Sequence, residues 1–244
     1  MTRSHGAGTP ERAAELAGNL RALRSRIAAA CEAAGRDPGE VSLIAITKTF
    51  PASDVRLLAG LGVTDVGENR DQEAAPKAAA CAGQEPPLRW HFVGQLQVNK
   101  CKSVVQYADF VHSVDRPRLV DALASRARSA GRVITCLIQA DLDAEPDPGR
   151  GGADPADVPA LADAVASQEG LRLGGVMAIA PLDAPPGPAF ARLSELAAEV
   201  RSAHPGAMMI SAGMTGDLEE AIAEGATHVR VGTALLGSRQ AFVR

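Results

Sequence analysis

The sequence predicts an α/β protein: a single (β/α)8 TIM barrel with an extra N-terminal helix, spanning residues 1–244 as one domain. Three observations carry that prediction. Short apolar segments alternate with alanine-rich amphipathic ones, which implies parallel strands joined by right-handed crossovers. Eight such strands fit within about 200 residues, and closed barrels commonly use about 250 residues in all. No GxGxxG follows the first strand, which counts against the structural alternative, an open doubly wound sheet.

The first helix is expected over 10–35. It opens at Thr9-Pro10, with threonine as N-cap and proline at the first helical position, and Gly35 ends it. Strand one follows at 41–47, the apolar run Val-Ser-Leu-Ile-Ala-Ile-Thr, and a helix lies near 52–60. The alternation continues with strand two at 63–67, a helix near 70–82, strand three at 90–94 and a helix near 98–107. Strand four at 109–113 and a helix over 116–130 lead to strand five at 133–140. Residues 143–152 are rich in Gly, Pro and Asp and read as a mobile loop. A helix near 156–168 precedes strand six at 173–179, and residues 181–188 (PLDAPPGP) read as a second loop on the same rim. Helix 188–203, strand seven at 207–211, helix 217–224 and strand eight at 228–231 complete the series. Neither an interdomain linker nor a tandem repeat interrupts it.

Composition excludes several function classes. Hydrophobic residues make up 46% of the chain and aromatic residues 3%, so the core must be aliphatic and alanine-rich. A net charge of -4, with basic residues scattered through predicted helices, argues against a nucleic-acid surface. Cys31, Cys81, Cys101 and Cys136 form no CxxC pair, so neither a zinc site nor a disulfide scaffold is expected. The polar start Met1-Thr-Arg-Ser-His-Gly lacks the apolar segment of a secretory signal. No apolar run approaches the roughly 18 residues of a membrane span. A cytoplasmic location is the expectation.

In a barrel, functional residues sit at the C-terminal ends of strands, and the loops after strands seven and eight often hold phosphate. Lys48 stands at the end of strand one. Its apolar surroundings would favour the neutral amine that condenses with an aldehyde, although read alone it is more simply a surface lysine opening a loop, and only the phosphate seat shifts that weighting. After strand seven, Thr215 offers a hydroxyl between Gly213 and Gly216; after strand eight, Gly232 and Thr233 offer backbone amides and a second hydroxyl. A lysine at one strand end and a phosphate seat at two others point to a Schiff base with pyridoxal 5'-phosphate (PLP). Arg230 can only donate, so against the ring nitrogen it would keep that nitrogen unprotonated and the ring a poor electron sink; a helix-capping or salt-bridged arginine is the lesser alternative. His91 could stack on or bond a ligand or be a satisfied core histidine, and no partner at ligand spacing makes it a metal site. Met177 is a pocket wall or a core residue.

These segments resemble the pyridoxal phosphate homeostasis protein family, which shares the barrel of the alanine racemase N-terminal domain. The matching stretches are Ala45-Ile-Thr-Lys-Thr49, Val66-Gly-Glu-Asn69 with Gln72-Glu73, and Trp90-His-Phe-Val-Gly-Gln-Leu-Gln-Val-Asn-Lys100. To them are added His112-Ser-Val-Asp115, Gly174-Gly-Val-Met177, Ser211-Ala-Gly-Met-Thr215 and Val229-Arg-Val-Gly-Thr-Ala-Leu-Leu-Gly237. The resemblance implies a Schiff base at Lys48, a phosphate seat from Ser211, Thr215, Gly232 and Thr233, and Arg230 on the ring nitrogen, with Asn69 and His91 lining the pocket. It also implies a protein of vitamin B6 balance with no established turnover. Thr47, Ala212, Thr215, Gly216 and Asp141 depart from the family's usual residues, which touches pocket volume and phosphate affinity.

Two functions of different class follow. One is a PLP-binding homeostasis protein that stores the cofactor or hands it on, with apo PLP-dependent enzymes as possible recipients. The other is a PLP-dependent amino-acid racemase, which needs a base on each face of the α-carbon: Lys48 could serve one face, and His91 or a cysteine the other. In alanine racemases a separate domain delivers a tyrosine for that purpose; here the sole tyrosine, Tyr107, falls in a predicted helix away from the rim. The carrier is the expected function and a monomer the expected state.

Overall fold

Eight parallel strands pair in chain order and close on themselves: β1 (Ser42–Ile46), β2 (Asp65–Glu68), β3 (Arg89–Phe92), β4 (Phe110–Val114), β5 (Ile134–Gln139), β6 (Leu171–Met177), β7 (Met209–Ser211) and β8 (His228–Val231). Closure is made by β1 against β8, with Ile44 opposite Arg230 and Ala45 opposite Val231. The structure, a computed structural model, describes residues 8–143 and 150–237. The expected loop 143–152 therefore lies partly outside the described residues, at 144–149. No helix among the described residues is long and apolar enough to cross a membrane.

Around the barrel run α1 (Pro10–Ala33), α2 (Ala52–Gly60), α3 (Asp71–Ala80), α4 (Cys101–Tyr107), α5 (Pro117–Ser129), α6 (Val158–Ala166), α7 (Pro186–Ala203), α8 (Leu218–Ala223) and the short α9 (Thr233–Leu236). The cap expected of α1 is present: the Thr9 hydroxyl accepts from the Arg12 amide at 3.2 Å. Helix α7 begins inside the expected loop at 181–188. Prolines there do not hold the chain out of a helix, because Pro186 occupies the first turn, where the missing N–H is no loss. Strand six also ends earlier than the apolar run suggests, and Ile179 bends away to the rim.

Alternate strand residues separate two environments. Val66, Val111, Ile210, Val229 and Val231 face the helices and join the apolar clusters there, among them one with Leu16, Leu20, Leu23 and Ile27 of α1. The positions between them, Asp65, His112, Ser211, His228 and Arg230, point into the barrel with His91 of β3. The hydrophobic core is thus a shell around the sheet, and much of the barrel interior is polar. At Gly175, with φ of +145°, an added Cβ would lie 2.0 Å from the Met209 carbonyl oxygen, so β6 and β7 pack at this distance only with glycine there.

Candidate functional site

A cavity of about 410 Å³ opens at the C-terminal rim. Six of the nine residues singled out in the sequence line it: Lys48, Asn69, Thr215, Arg230, Gly232 and Thr233. The lining also contains three cations, Lys48, Arg150 and Arg230, and no carboxylate among the described residues. Such a wall favours an anion. No group of three His, Cys, Asp or Glu side chains among the described residues is placed to hold a metal ion.

The chain around Lys48 is pinned on both sides. Thr47 is fully buried, and its hydroxyl donates to Glu68 Oε1 at 2.6 Å. Lys77 donates to the Thr47 carbonyl at 2.7 Å and forms a buried ion pair with Glu68. Burial pushes the Glu68 carboxyl above its ordinary value, and Lys77 and Thr47 offset part of that. Thr47 therefore belongs to the layer outside the sheet, and its extra methyl takes no volume from the cavity. On the other side, Thr49 holds φ at +70°, where a β-branched residue costs about 1–2 kcal/mol, and its amide donates to Glu73 at 3.0 Å. Glycine is required at position 94, because an added Cβ would lie 2.2 Å from the Asn69 carbonyl oxygen.

His91, Met177 and Ser211 are buried and do not line the cavity. His91 and Ser211 take part in hydrogen bonds inside the barrel. Ser211 instead supports Arg230: Nη1 donates to Ser211 Oγ at 2.8 Å, and Nη2 donates to the Ala178 carbonyl at 2.8 Å. Burial lowers the Arg230 guanidinium to about 10, and these two acceptors are neutral oxygens.

From Ser211 a hydrogen-bonded chain runs down through the barrel. Ser211 Oγ lies 3.0 Å from His112 Nδ1, His112 Nε2 lies 2.9 Å from His91 Nδ1, and His91 Nε2 lies 2.8 Å from Asp65 Oδ1. Burial and hydrogen bonding set its polarity. Burial pushes the Asp65 carboxyl up, but hydrogen bonds from His91 and Arg89 outweigh it and hold the group below its ordinary value, so it accepts. His91 Nε2 must then donate. Burial lowers both His91 and His112, the latter well below its ordinary value. As neutral imidazoles each has one donor and one acceptor nitrogen, so His112 Nε2 donates to His91 and Ser211 donates to His112. Every link donates in one direction, from Arg230 toward Asp65.

Three interior histidines held neutral make the fold acid-sensitive. Burial lowers His228 to about 4 from 6.5. A histidine with a depressed folded value binds fewer protons folded than unfolded, so its stability contribution is present above the unfolded value and is lost as pH falls toward the folded one. Thermal melts taken from pH 7 down to 4.5 should show stability falling below about pH 6.5, by up to roughly 1.4 kcal/mol per pH unit for each histidine. A flat profile would remove the neutral-chain assignment.

Sequence reasoning missed Gln95, Gln139, Arg150 and Met214, which also line the cavity. Gln139 ends β5 and donates to the Gly151 carbonyl at 2.9 Å. Arg150 pairs with Asp143 at 3.1 Å and donates to the Ala180 carbonyl at 2.7 Å, tying the two rim loops together. The glycine-rich loop was visible in the sequence, but nothing local marked its arginine as facing the cavity. Of the residues considered as a second base, His91 and all four cysteines are buried and absent from the wall; Tyr107, set aside from the sequence, packs on Trp90 with its hydroxyl toward Asp71.

Comparison with known proteins agrees with this architecture. Residues 18–240 match the family described as alanine racemase, N-terminal domain. A pyridoxal phosphate homeostasis protein of Mycobacterium bovis is 46% identical, covering 95% of each chain. PipY of Synechococcus elongatus PCC7942, solved with PLP bound, superposes with a TM-score of 0.78 at 35% identity, covering 91% of this chain and all of that one. The alanine racemase of Streptomyces coelicolor A3(2) shares the fold at 22% identity and a TM-score of 0.71, with 59% of its chain covered.

Proposed function

The chain belongs to the pyridoxal phosphate homeostasis protein family, built on the alanine racemase N-terminal barrel, and from that premise we propose that it binds PLP at the rim cavity, covalently through Lys48 and without turnover. The observation that carries this reading is the wall itself: a lysine across from two loops of glycine and threonine, an arginine between them, and no carboxylate among the described lining residues. The volume of about 410 Å³ falls within the roughly 300–1,000 Å³ of small-molecule sites.

Lys48 would supply the amine that holds the cofactor's aldehyde carbon. Thr215, Gly232 and Thr233 seat the phosphate, and Asn69 flanks the lysine. Arg230 commits two of its five N–H donors to Ser211 and Ala178, which leaves donors for the ring nitrogen. Ser211, His91 and Met177 form the floor below. When bound, PLP supplies an aldehyde that exchanges between amines; a guanidinium on its ring nitrogen withholds the proton that carbanion chemistry calls for. Storage and hand-over suit this arrangement better than racemisation, which lacks a second base in the described wall. Apo PLP-dependent enzymes as recipients, a monomeric state and a cytoplasmic location complete the reading.

The chain has four lysines, Lys48, Lys77, Lys100 and Lys102, which makes a direct test simple. Protein loaded with PLP, reduced with borohydride and mapped by peptide mass should carry the label on Lys48. A label on another lysine, or steady deuterium uptake into amino acids supplied in heavy water, would overturn the proposal.

A further inference from the structure

Helix α1 reaches the cavity's two anion-seating loops through three side chains spaced seven residues apart. Arg12 donates to the Leu236 carbonyl at 3.0 Å, Asn19 to the Leu235 carbonyl at 3.0 Å, and Arg26 to the Thr215 carbonyl at 2.8 Å. Seven residues are close to two turns, so the three donors share one helix face. Between them Leu16, Leu20, Leu23 and Ile27 bury against the barrel and fix that face in place.

The two end residues are themselves held. Arg12 pairs with Asp54 of α2 at 2.7 Å, and its guanidinium lies 5.6 Å from the ring centre of Phe50, another cavity residue. Arg26 pairs with Glu219 through both carboxylate oxygens, which raises the arginine and lowers the carboxyl. Helix α9, by contrast, has four residues, too few to set its own course. Its last carbonyls have no partner within the helix, and α1 supplies donors to two of them.

We propose that α1 is a clamp that sets the separation of the 214–216 loop and the Gly232–Thr233 turn, with Arg12, Asn19 and Arg26 as positioning residues for phosphate binding. This rests on the phosphate seat assigned above. The clamp's bonds run to the Thr215, Leu235 and Leu236 carbonyls and share no acceptor with Arg230, so it discriminates between vitamers. Loosening it should weaken ligands that carry a phosphate and spare those that do not.

The test uses the full chain with Asn19→Ala, and with Asn19→Ala and Arg26→Met together. Dissociation constants are measured for PLP and for pyridoxal, which has the same aldehyde and ring but no phosphate. Inorganic phosphate is scored separately, by its protection of the unloaded protein in thermal melts. PLP binding should weaken about threefold in the single variant and about tenfold in the double, from the partial loss of one and two hydrogen bonds. Pyridoxal should change by less than about twofold, and phosphate protection should shrink with the loss of PLP affinity. Equal weakening of both vitamers, or unchanged PLP binding, overturns the clamp; should the double variant not fold, the single one decides. Thr233→Val separates the premises. If it fails to reduce PLP and phosphate binding, the seat is wrong and the clamp falls with it; if it succeeds while the α1 variants do nothing, only the clamp falls.

Discussion

Lys48→Ala should abolish the absorbance that appears near the visible edge when PLP is added, and should weaken binding by roughly a hundredfold, or about 2.8 kcal/mol. The first effect is all-or-none, because the cavity wall contains no other lysine among the described residues. The second is smaller than complete loss because the contacts from Thr215, Thr233 and Arg230 stay in place. Lys48→Arg keeps the positive charge but does not form the imine, so it should also lack the imine band, showing only the absorbance of the free aldehyde, while holding the phosphate better than alanine does. Titration by absorbance and by equilibrium dialysis checks the two effects separately. Undiminished colour in Lys48→Ala would remove the covalent assignment.

The next largest effect is on stability. Lys77→Met leaves the Glu68 carboxylate, 1% exposed, without its cation, and removing one member of a buried pair costs about 3–5 kcal/mol. The Thr47 hydroxyl would still donate to Oε1, but Oε2 already has no hydrogen-bond partner among the described residues, so one neutral donor alone would face the charge. The cost should depend on pH with a definite sign. Burial raises Glu68, and losing the lysine raises it further. An acid raised in the folded state binds more protons folded than unfolded, so its stability contribution is lost as pH rises through the folded value. Measured against the parent at each pH, the deficit should be smallest near the ordinary carboxylate range and largest above neutrality. Denaturant melts at several pH values check it, and adding Glu68→Gln should recover much of the loss. Because Lys77 also holds the Thr47 carbonyl, the variant should hold Lys48 less firmly.

How much of this was legible in the sequence depended on what each residue leaves there. Alternating apolar runs placed the eight strands within a few residues, because a buried parallel strand has few ways to be written. Lys48, Arg230, Gly232 and Thr233 stood out because each interrupts such a run at its C-terminal end. Depth inside the barrel was not legible. Ser211 and His91 lie on strands that reach the rim, but their side chains are buried in the barrel interior, and how deep a strand residue sits is set by strand tilt and stagger. Pro186 shows the same limit in a loop, since a proline reads as a breaker until its position in the first turn is known. Arg150 and Gln139 meet partners that are backbone carbonyls, and so do the three donors of α1. A carbonyl belongs to every residue and marks none.

The one-way chain from Arg230 to Asp65 gives the barrel a readable underside. Asp65 sits at the foot of β2, beside the surface Arg89, yet its negative charge is the far pole of the row that begins at Arg230 in the cavity wall. Swapping Asp65 for asparagine would keep every dipole pointing the same way while deleting that pole. A bound chromophore would then shift its hue in response to an edit made on the opposite side of the molecule, with no ligand contact disturbed.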